Sequence, residues 1–436
     1  MHKSAVLNFL ETFYAQLDAD HIVLVPVRPK ALNDEEAFTG DYDFLASPES
    51  IDPILLQLFT MAAKACLNFT VNQVKYGKTK IYLYDPQDSR SVTLEIWSHL
   101  EVKDKGWLRY IFFEDVEPFV TKAPGLGYQF DPEVESLYYL SHLKTKRKDL
   151  RSDGVQERLV HYTEVVRAHP VLQELYARLA EQPGVRDEVA AKANAVLAEK
   201  GILFSASHRE KRVAAADRYR AAKRHRIRGK WLRFLRITPV LGPDGVGKTS
   251  LINALKTISR SRVHYYRFKR LFRHNWLYQL SRAILKRRFP KTLQKNQYDD
   301  IHGTWLHTIA WIRYPLLVLF SLLSRRFMFS DRYYHDLLIK NTRFLEKQTR
   351  FRSNWKRLLR KSPGTFCLVQ LDAPTDVIHS RKEELSAQAI DAYRTSVFEM
   401  YLKKPSIVYS YINTSLSLEH CSRALLHSSA ALGVKP

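Results

Sequence analysis

Over the first 130 positions the apolar residues fall into two rhythms. Val6 to Leu17 and Pro53 to Cys66 repeat them at helical spacing, while Ile22 to Val27, Lys80 to Tyr84 and Ser91 to Trp97 are short runs that predict strands. Together they predict an α/β domain over residues 1–130. At Asp131-Pro132-Glu133 an N-cap residue, a proline suited to the first helical turn and an acid that complements the helix dipole predict a helix start. Helical segments continue to about Leu203, so 131–236 reads as a helical connector. From 237 onward strand-like runs return: Val240-Leu241, Phe327 to Ser330 and Thr365 to Leu371. They alternate with the helical Leu251 to Leu255 and with Ile390, Tyr393, Val397 and Tyr401, which recur on one helix face. Residues 237–436 therefore form a second α/β domain with a parallel sheet. Pro239 cannot donate to a sheet ladder and is expected to shorten or distort the first of these strands. The most apolar stretch, Trp305 to Leu323, is interrupted by His307, Arg313 and Pro315, short of the roughly 20 residues that span a bilayer. It predicts a buried or interfacial helix.

A chain of 436 residues exceeds one ordinary core, and 45% hydrophobic residues supply enough apolar surface for two or three. The net charge of +24 attracts polyanions without choosing among them. Twelve Lys and Arg between 208 and 236 are answered only by Glu210 and Asp217; this run reads as a solvated basic helix, with a peripheral contact to an anionic membrane or to nucleic acid as the alternative. Cys66, Cys367 and Cys421 form no CxxC, so neither a disulfide framework nor a cysteine metal site is implied. Glu11, Asp18 and Asp20 interrupt the N-terminal apolar segment, which argues for a helix of the folded protein over a secretory signal. The expected location is cytoplasmic, at the inner membrane face if the basic run meets lipid. No specific nucleic-acid-binding motif stands out, and the sequence specifies no oligomeric state.

Gly242-Pro-Asp244-Gly245-Val-Gly247-Lys248-Thr249 fits G-x-x-x-x-G-K-[ST] between a strand-like and a helical run. Glycines let the loop curl so that consecutive N–H groups face phosphate oxygens, reinforced by the N-terminus of the following helix, which Thr249 and Ser250 open. Lys248 is placed to reach the β- and γ-phosphates, and the Thr249 hydroxyl to ligate Mg²⁺. ATP and Mg²⁺ are the cofactors this pattern calls for. Downstream, Phe327 to Ser330 delivers Asp331 and Arg332 to the carboxyl edge of a parallel sheet, where ligands bind in such folds. After the strand Thr365 to Leu371 and Asp372-Ala-Pro374, the pair Arg381-Lys382 enters an amphipathic helix as a basic lid able to close over phosphates.

These elements, GPDGVGKTS, SDRYYHD and LDAPTDVIHSRKEEL in that order, resemble the thymidylate kinase-like group of P-loop kinases. The resemblance covers roughly Ile237 to Leu402 and is closest to the divergent members associated with bacterial surface-polysaccharide synthesis. It implies a phosphotransferase in which Asp244 lies near the acceptor, Asp331 near Mg²⁺ and Arg332 between donor and acceptor phosphates, with Arg381 as the lid arginine. Arg267 is a candidate acceptor-phosphate contact. The acceptor is a nucleoside monophosphate, a sugar or a glycan. A second reading makes the domain an ATP-binding regulatory module that controls the N-terminal domain or the basic contact.

In the N-terminal domain, Asp41 and Asp43 fall one residue apart on one strand face, and Glu95 lies on a later strand. The trio resembles the metal-binding acids of the nucleotidyltransferase fold, which implies a second divalent-metal site. The usual preceding Gly-Ser is absent, and Glu95 stands where an aspartate is usual.

Overall fold

In the computed structural model of the chain, the described residues are 5–27, 41–85, 91–104, 107–123, 127–203, 209–258, 263–271, 276–288, 295–324, 326–334, 363–382, 385–403 and 406–430. The strands among them are β1 (Val25–Pro26), β2 (Asp41–Leu45), β3 (Asn68–Lys75), β4 (Lys78–Tyr84), β5 (Ser91–Trp97), β6 (His99–Asp104), β7 (Trp107–Phe112), β8 (Val120–Ala123), β9 (Gly127–Phe130), β10 (Ile237–Leu241), β11 (Val263–Arg267), β12 (Phe327–Asp331), β13 (Cys367–Asp372) and β14 (Val408–Asn413). With the interspersed helices they make a mixed α/β protein. The chain divides into two compact units: residues 1–58, 75–80 and 92–225 in the first, and 59–74, 81–91 and 226–436 in the second. This differs from a cut at 131 and 237, because residues 131–225 fall within the first unit and two pieces of the N-terminal third fall within the second.

In the first unit, β2 runs antiparallel to β1 and parallel to β5, with Asp43 opposite Glu95. Two antiparallel pairs, β6–β7 and β8–β9, are joined by the helices Pro132–Thr145, Asp153–Val165, Pro170–Glu181 and Arg186–Glu199. The first of these helices starts where the cap residues predict. Asp131 Oδ1 accepts from the N–H groups of Glu133 and Val134 at 2.9 and 3.3 Å, satisfying two of the donors a helix start leaves open. Leu137, Leu140, Leu159, Leu172 and Leu197 bury their side chains in one apolar core with residues of β1 and β6.

The second unit is built on a mostly parallel sheet in the order β3-β14-β13-β10-β12-β11, in which only β3 runs antiparallel. β10 lies inside this order, and all five of its residues are buried, as expected of a strand covered on both faces. Pro239 does not shorten it: Ile237 to Val240 pair with Met328 to Asp331, whereas the registered pairs with β13 are Val240 with Val369 and Leu241 with Gln370, both beyond the proline. The chain leaves β10 toward β11 and β12 and later returns to its other side for β13 and β14. Strand order thus reverses at β10, the place where open α/β sheets form a crevice at their carboxyl ends.

The β3 contribution was not legible as a long-range pairing. Asn68 Oδ1 accepts the Asn413 N–H at 2.6 Å, Thr70 and Ser410 share a hydroxyl contact at 2.9 Å, and Phe69 stacks on Tyr411 with centroids 5.3 Å apart. Phe59, from the adjoining helix, stacks on Phe398 at 4.3 Å. A segment some 340 residues earlier in the chain therefore closes the edge at β14, which would otherwise expose an unpaired row of backbone groups.

Candidate active site

The carboxyl ends of β10, β12, β13 and β14 bring together nearly every residue the phosphate-binding pattern selects. Residues 242–247 form the loop between β10 and the helix Lys248–Ile258. Gly245 and Gly247 adopt φ of +90° and +88°, a region that L side chains avoid. Gly242 is held for a second reason: a Cβ there would come within 2.7 Å of the Leu371 carbonyl oxygen. Its N–H donates to the Tyr393 hydroxyl at 3.2 Å.

Lys248 is 7% exposed, and its ammonium lies inside the loop, donating to the carbonyls of Gly242 (2.9 Å) and Pro243 (2.8 Å), with Asp244 Oδ1 at 3.7 Å. A buried cation needs such partners, since removing it from water without them costs several kcal/mol. Asp244 also receives Arg332, whose Nη2 lies 2.6 Å from Oδ1. Arg332 follows the last residue of β12 with φ +70°, a left-handed conformation uncommon outside glycine, and its N–H donates to the Val240 carbonyl at 3.0 Å. The Ser330 hydroxyl bonds the Arg332 carbonyl at 2.9 Å and fixes this turn.

Asp331 accepts from the Tyr265 hydroxyl at 2.7 Å through Oδ2, while Oδ1 is buried with no hydrogen-bond partner. Burial and the hydrogen bond to Asp331 push the Tyr265 hydroxyl up, opposed by hydrogen bonds from Arg267 and Thr249. Tyr265 thus stays protonated and joins Asp331 to Thr249. A carboxylate oxygen buried without a partner, beside a threonine hydroxyl and a phosphate loop, suits a hard cation with oxygen ligands. The residues present therefore fit Mg²⁺. Arg267, at the end of β11, is exposed and bonds Tyr265. Ser250 is exposed in the first turn of the loop helix.

Arg381 ends the helix Thr375–Arg381, donating to the Thr414 carbonyl at 3.1 Å and lying 3.4 Å from its Oγ1. A Cβ on Gly247 would sit 3.9 Å from Arg381 Nη1, and one on Gly245 3.0 Å from Lys382 Cβ. The predicted basic pair therefore lies against the glycines of the loop. Thr414, Tyr265 and Tyr393 are participants that sequence reasoning missed. Thr414 Oγ1 donates to the Val246 carbonyl at 2.8 Å, tying the turn after β14 to the loop. Its signal in the sequence is the apolar and aromatic run Val408–Asn413 that immediately precedes it.

Behind the loop, Asp372 at the end of β13 is buried. It is paired with Arg394 through Nε and through Nη2 at 3.0 Å, and it accepts from Tyr411 at 2.8 Å. Burial works against the Arg394 charge, but the bonds to Asp372 outweigh it and hold its pKa above the ordinary value. This pair anchors the helix Ala387–Lys403, which carries Tyr393.

In the first unit the register does bring Asp43 opposite Glu95, with Asp41 opposite Thr93. Ammonium groups stand against two of these acids. Lys78 and Lys80 both pair with Glu95, Lys80 also reaches Asp41 at 3.4 Å, and Trp97 Nε1 lies 3.4 Å from Asp43 Oδ1. Burial raises the Glu95 pKa, but the two lysines more than reverse it and lower it overall. Among the described residues no three His, Cys, Asp or Glu side chains are grouped so as to hold a metal. Asp41 and Glu95 thus stand in an ion-pair cluster with Lys78 and Lys80.

No protein-family profile matches the sequence, and no protein in the curated set matches it. Among solved structures, the chain is similar to thymidylate kinase from Candida albicans, with 18% identity over 45% of this chain and 92% of that one and a TM-score of 0.34. It is also similar to thymidylate kinase from Ehrlichia chaffeensis, with 13% identity over 44% of this chain and 96% of that one and a TM-score of 0.29.

Proposed function

We propose that the second unit is an ATP- and Mg²⁺-dependent small-molecule kinase of the thymidylate kinase-like kind, passing the γ-phosphoryl group to a nucleoside monophosphate, sugar or glycan acceptor. The observation that carries this reading is the unpartnered, buried Asp331 Oδ1 beside Thr249, with Arg332 bridged to Asp244 next to it. A loop that only held nucleotide would not need a second cation beside Lys248 at Asp244.

Phosphoryl transfer depends mainly on positioning and on stabilising charge that spreads over the equatorial oxygens. The loop N–H groups orient the phosphates at the helix N-terminus. Lys248, now bonded to two loop carbonyls, exchanges them for phosphate oxygens, which preserves its hydrogen bonds and replaces neutral acceptors with charged ones. Thr249 and Asp331 would hold Mg²⁺, which screens charge between the β- and γ-phosphates when bound. Arg332, held toward Asp244, lies between the loop and the acceptor side, and Arg381 closes against Gly247 to exclude water. Asp244, between Lys248 and Arg332, would orient an acceptor hydroxyl or phosphate.

The test is transfer of labelled γ-phosphate from ATP·Mg²⁺ to a panel of nucleoside monophosphates, sugars and glycan fragments, with Lys248→Ala as control. A labelled product absent in the control supports the reading and names the acceptor class. ATP binding that survives with no acceptor labelled in any of the three classes counts against a kinase and for a regulatory nucleotide site.

A further inference from the structure

The charge of this protein is confined to one part of its sequence. Residues 209–330 hold 29 Lys and Arg against five Asp and Glu, which accounts for the whole net charge of +24; the rest of the chain carries 40 of each. Between Asp244 and Asp331 the only acids are Asp299 and Asp300. In the second unit, two helices from this stretch and the part of a third beyond residue 225 also leave large apolar side chains in solvent at helical spacing. Ile227, Trp231 and Phe234 do so on the helix Arg209–Phe234, Trp276, Leu280 and Ile284 on the helix Trp276–Arg288, and Ile312, Leu316, Leu319 and Leu323 on the helix Lys295–Ser324. Trp231 is 66% exposed, Trp276 71% and Leu323 75%.

The third helix is the most telling. Ile309, Ala310, Leu317 and Ser321 bury one face, yet the opposite face is equally apolar and open. A helix apolar all round ordinarily lies inside a protein or a bilayer. Its one charged side chain between 308 and 324, Arg313, is turned inward onto the Leu271 carbonyl at 3.0 Å. The first and third helices meet where Ser321 Oγ donates to the Leu235 carbonyl at 3.1 Å, one residue beyond Phe234. Around them stand exposed Arg226, Lys230, Arg233, Lys269 and Arg326.

We propose that this face of the second unit docks in the plane of an anionic lipid bilayer, its apolar stripes entering the headgroup–acyl boundary while the flanking Arg and Lys meet lipid phosphates. Among the described residues no helix is long and apolar enough to cross a membrane, so the contact is peripheral. Interleaved cations, aliphatics and the exposed Trp231 and Trp276 fit the interface, where indole rings concentrate and where apolar area and anionic charge add. A second copy fits poorly, because a self-complementary contact would set two strongly basic faces against each other. Nucleic acid would engage the cations but has no use for the aliphatic stripe.

The experiment uses the full chain with vesicles of phosphatidylcholine alone or mixed with phosphatidylglycerol, the latter also prepared with brominated acyl chains. The expected result is sedimentation with the phosphatidylglycerol vesicles only, tryptophan quenching by the brominated chains, and at least about tenfold weaker binding for the doubly substituted Leu316→Glu, Leu323→Glu protein. ATP binding by that variant checks its fold, and quenching in the unaltered protein stands independently of it. No vesicle binding at low salt overturns the proposal. So does binding without quenching, which is simple surface attraction shared with duplex DNA. So does a dimer in sedimentation that the two substitutions dissociate, which would assign the face to a second copy.

Discussion

Arg332 and Asp244, 88 residues apart, meet at 2.6 Å where the strand β12 ends against the phosphate loop. The arginine reaches this position through a left-handed backbone at φ +70°, and such conformations persist only where the surroundings enforce them. Here the Val240 carbonyl and the Ser330 hydroxyl do so. A guanidinium fixed in this way needs no reorganisation when charge develops in front of it.

That relationship predicts a separation of binding from turnover. Arg332→Ala should lower kcat by about 10²–10³-fold, the usual loss of one preorganised donor, while the Kd for ATP moves only a few-fold. Steady-state kinetics with the acceptor found in the labelling panel, beside nucleotide titration, checks it. If kcat and Kd change together, the arginine supports the loop rather than the transferring group.

Tyr265 holds Asp331 by one oxygen and leaves the other for a cation. Removing the hydroxyl in Tyr265→Phe should weaken Mg²⁺ dependence by about tenfold, in line with other hydrogen bonds that orient metal-ligating carboxylates. A magnesium titration of activity and of nucleotide binding reads it. An unchanged Mg²⁺ midpoint would mean that the tyrosine only packs against the strand β11.

How much of this could be read from the sequence depends on whether the information is local. Gly242 to Thr249 determine a loop by their own backbone freedom, and Asp131-Pro132-Glu133 determine a helix start; both stand as expected. Arg381, which follows an apolar strand in the sequence, lies near the loop at Gly247. The bond of Thr414 to the Val246 carbonyl, by contrast, joins residues 168 apart and depends on strand order, which alternation of apolar residues does not encode. The same holds for β3, whose pairing with β14 is fixed by Asn68 and Phe69 finding partners beyond position 400. In the first unit three acids were legible as a cluster. The lysines that neutralise them sit on the adjacent strand β4, and one-dimensional spacing gave no sign that Lys78 and Lys80 face the same side as Glu95.

The buried pair of Asp372 and Arg394 predicts an asymmetric response. Arg394→Met leaves a carboxylate that is 3% exposed without its counter-charge and should destabilise the protein by about 3 kcal/mol. Adding Asp372→Asn to that variant should restore part of the loss, since the uncompensated charge is then gone. Denaturant unfolding of the two single variants and the double variant measures the coupling. Additive losses would show that the pair acts through packing alone.

The last prediction concerns pH and follows from His264 on the strand β11. Burial holds its pKa below the ordinary 6.5, helped by the positive charges of Lys256, Arg326 and Arg270, while the edge of Phe320 lies against the ring with centroids 5.6 Å apart. His420 is shifted the same way by burial and by Arg423, with Asp85 opposing. Between the lowered folded value and the unfolded value near 6.5, the unfolded chain binds more protons than the folded one, so stability rises with pH through that window. Acidification from about pH 7.5 to about pH 5 should therefore lower the urea midpoint, the loss starting near the unfolded value and levelling off below the folded one. Substituting His264→Gln removes the titrating group from beside three cations, so its midpoint should fall less over the same range. His264→Gln combined with His420→Gln should flatten the profile further. Because both imidazoles are partly open to water, the effect of each is screened and the slope modest. A profile in which the double variant loses as much stability as the unaltered protein between those limits would place the acid sensitivity in other groups, and not in carboxylates such as Glu95, whose lowered pKa costs stability only as pH falls through about 4.5 and below.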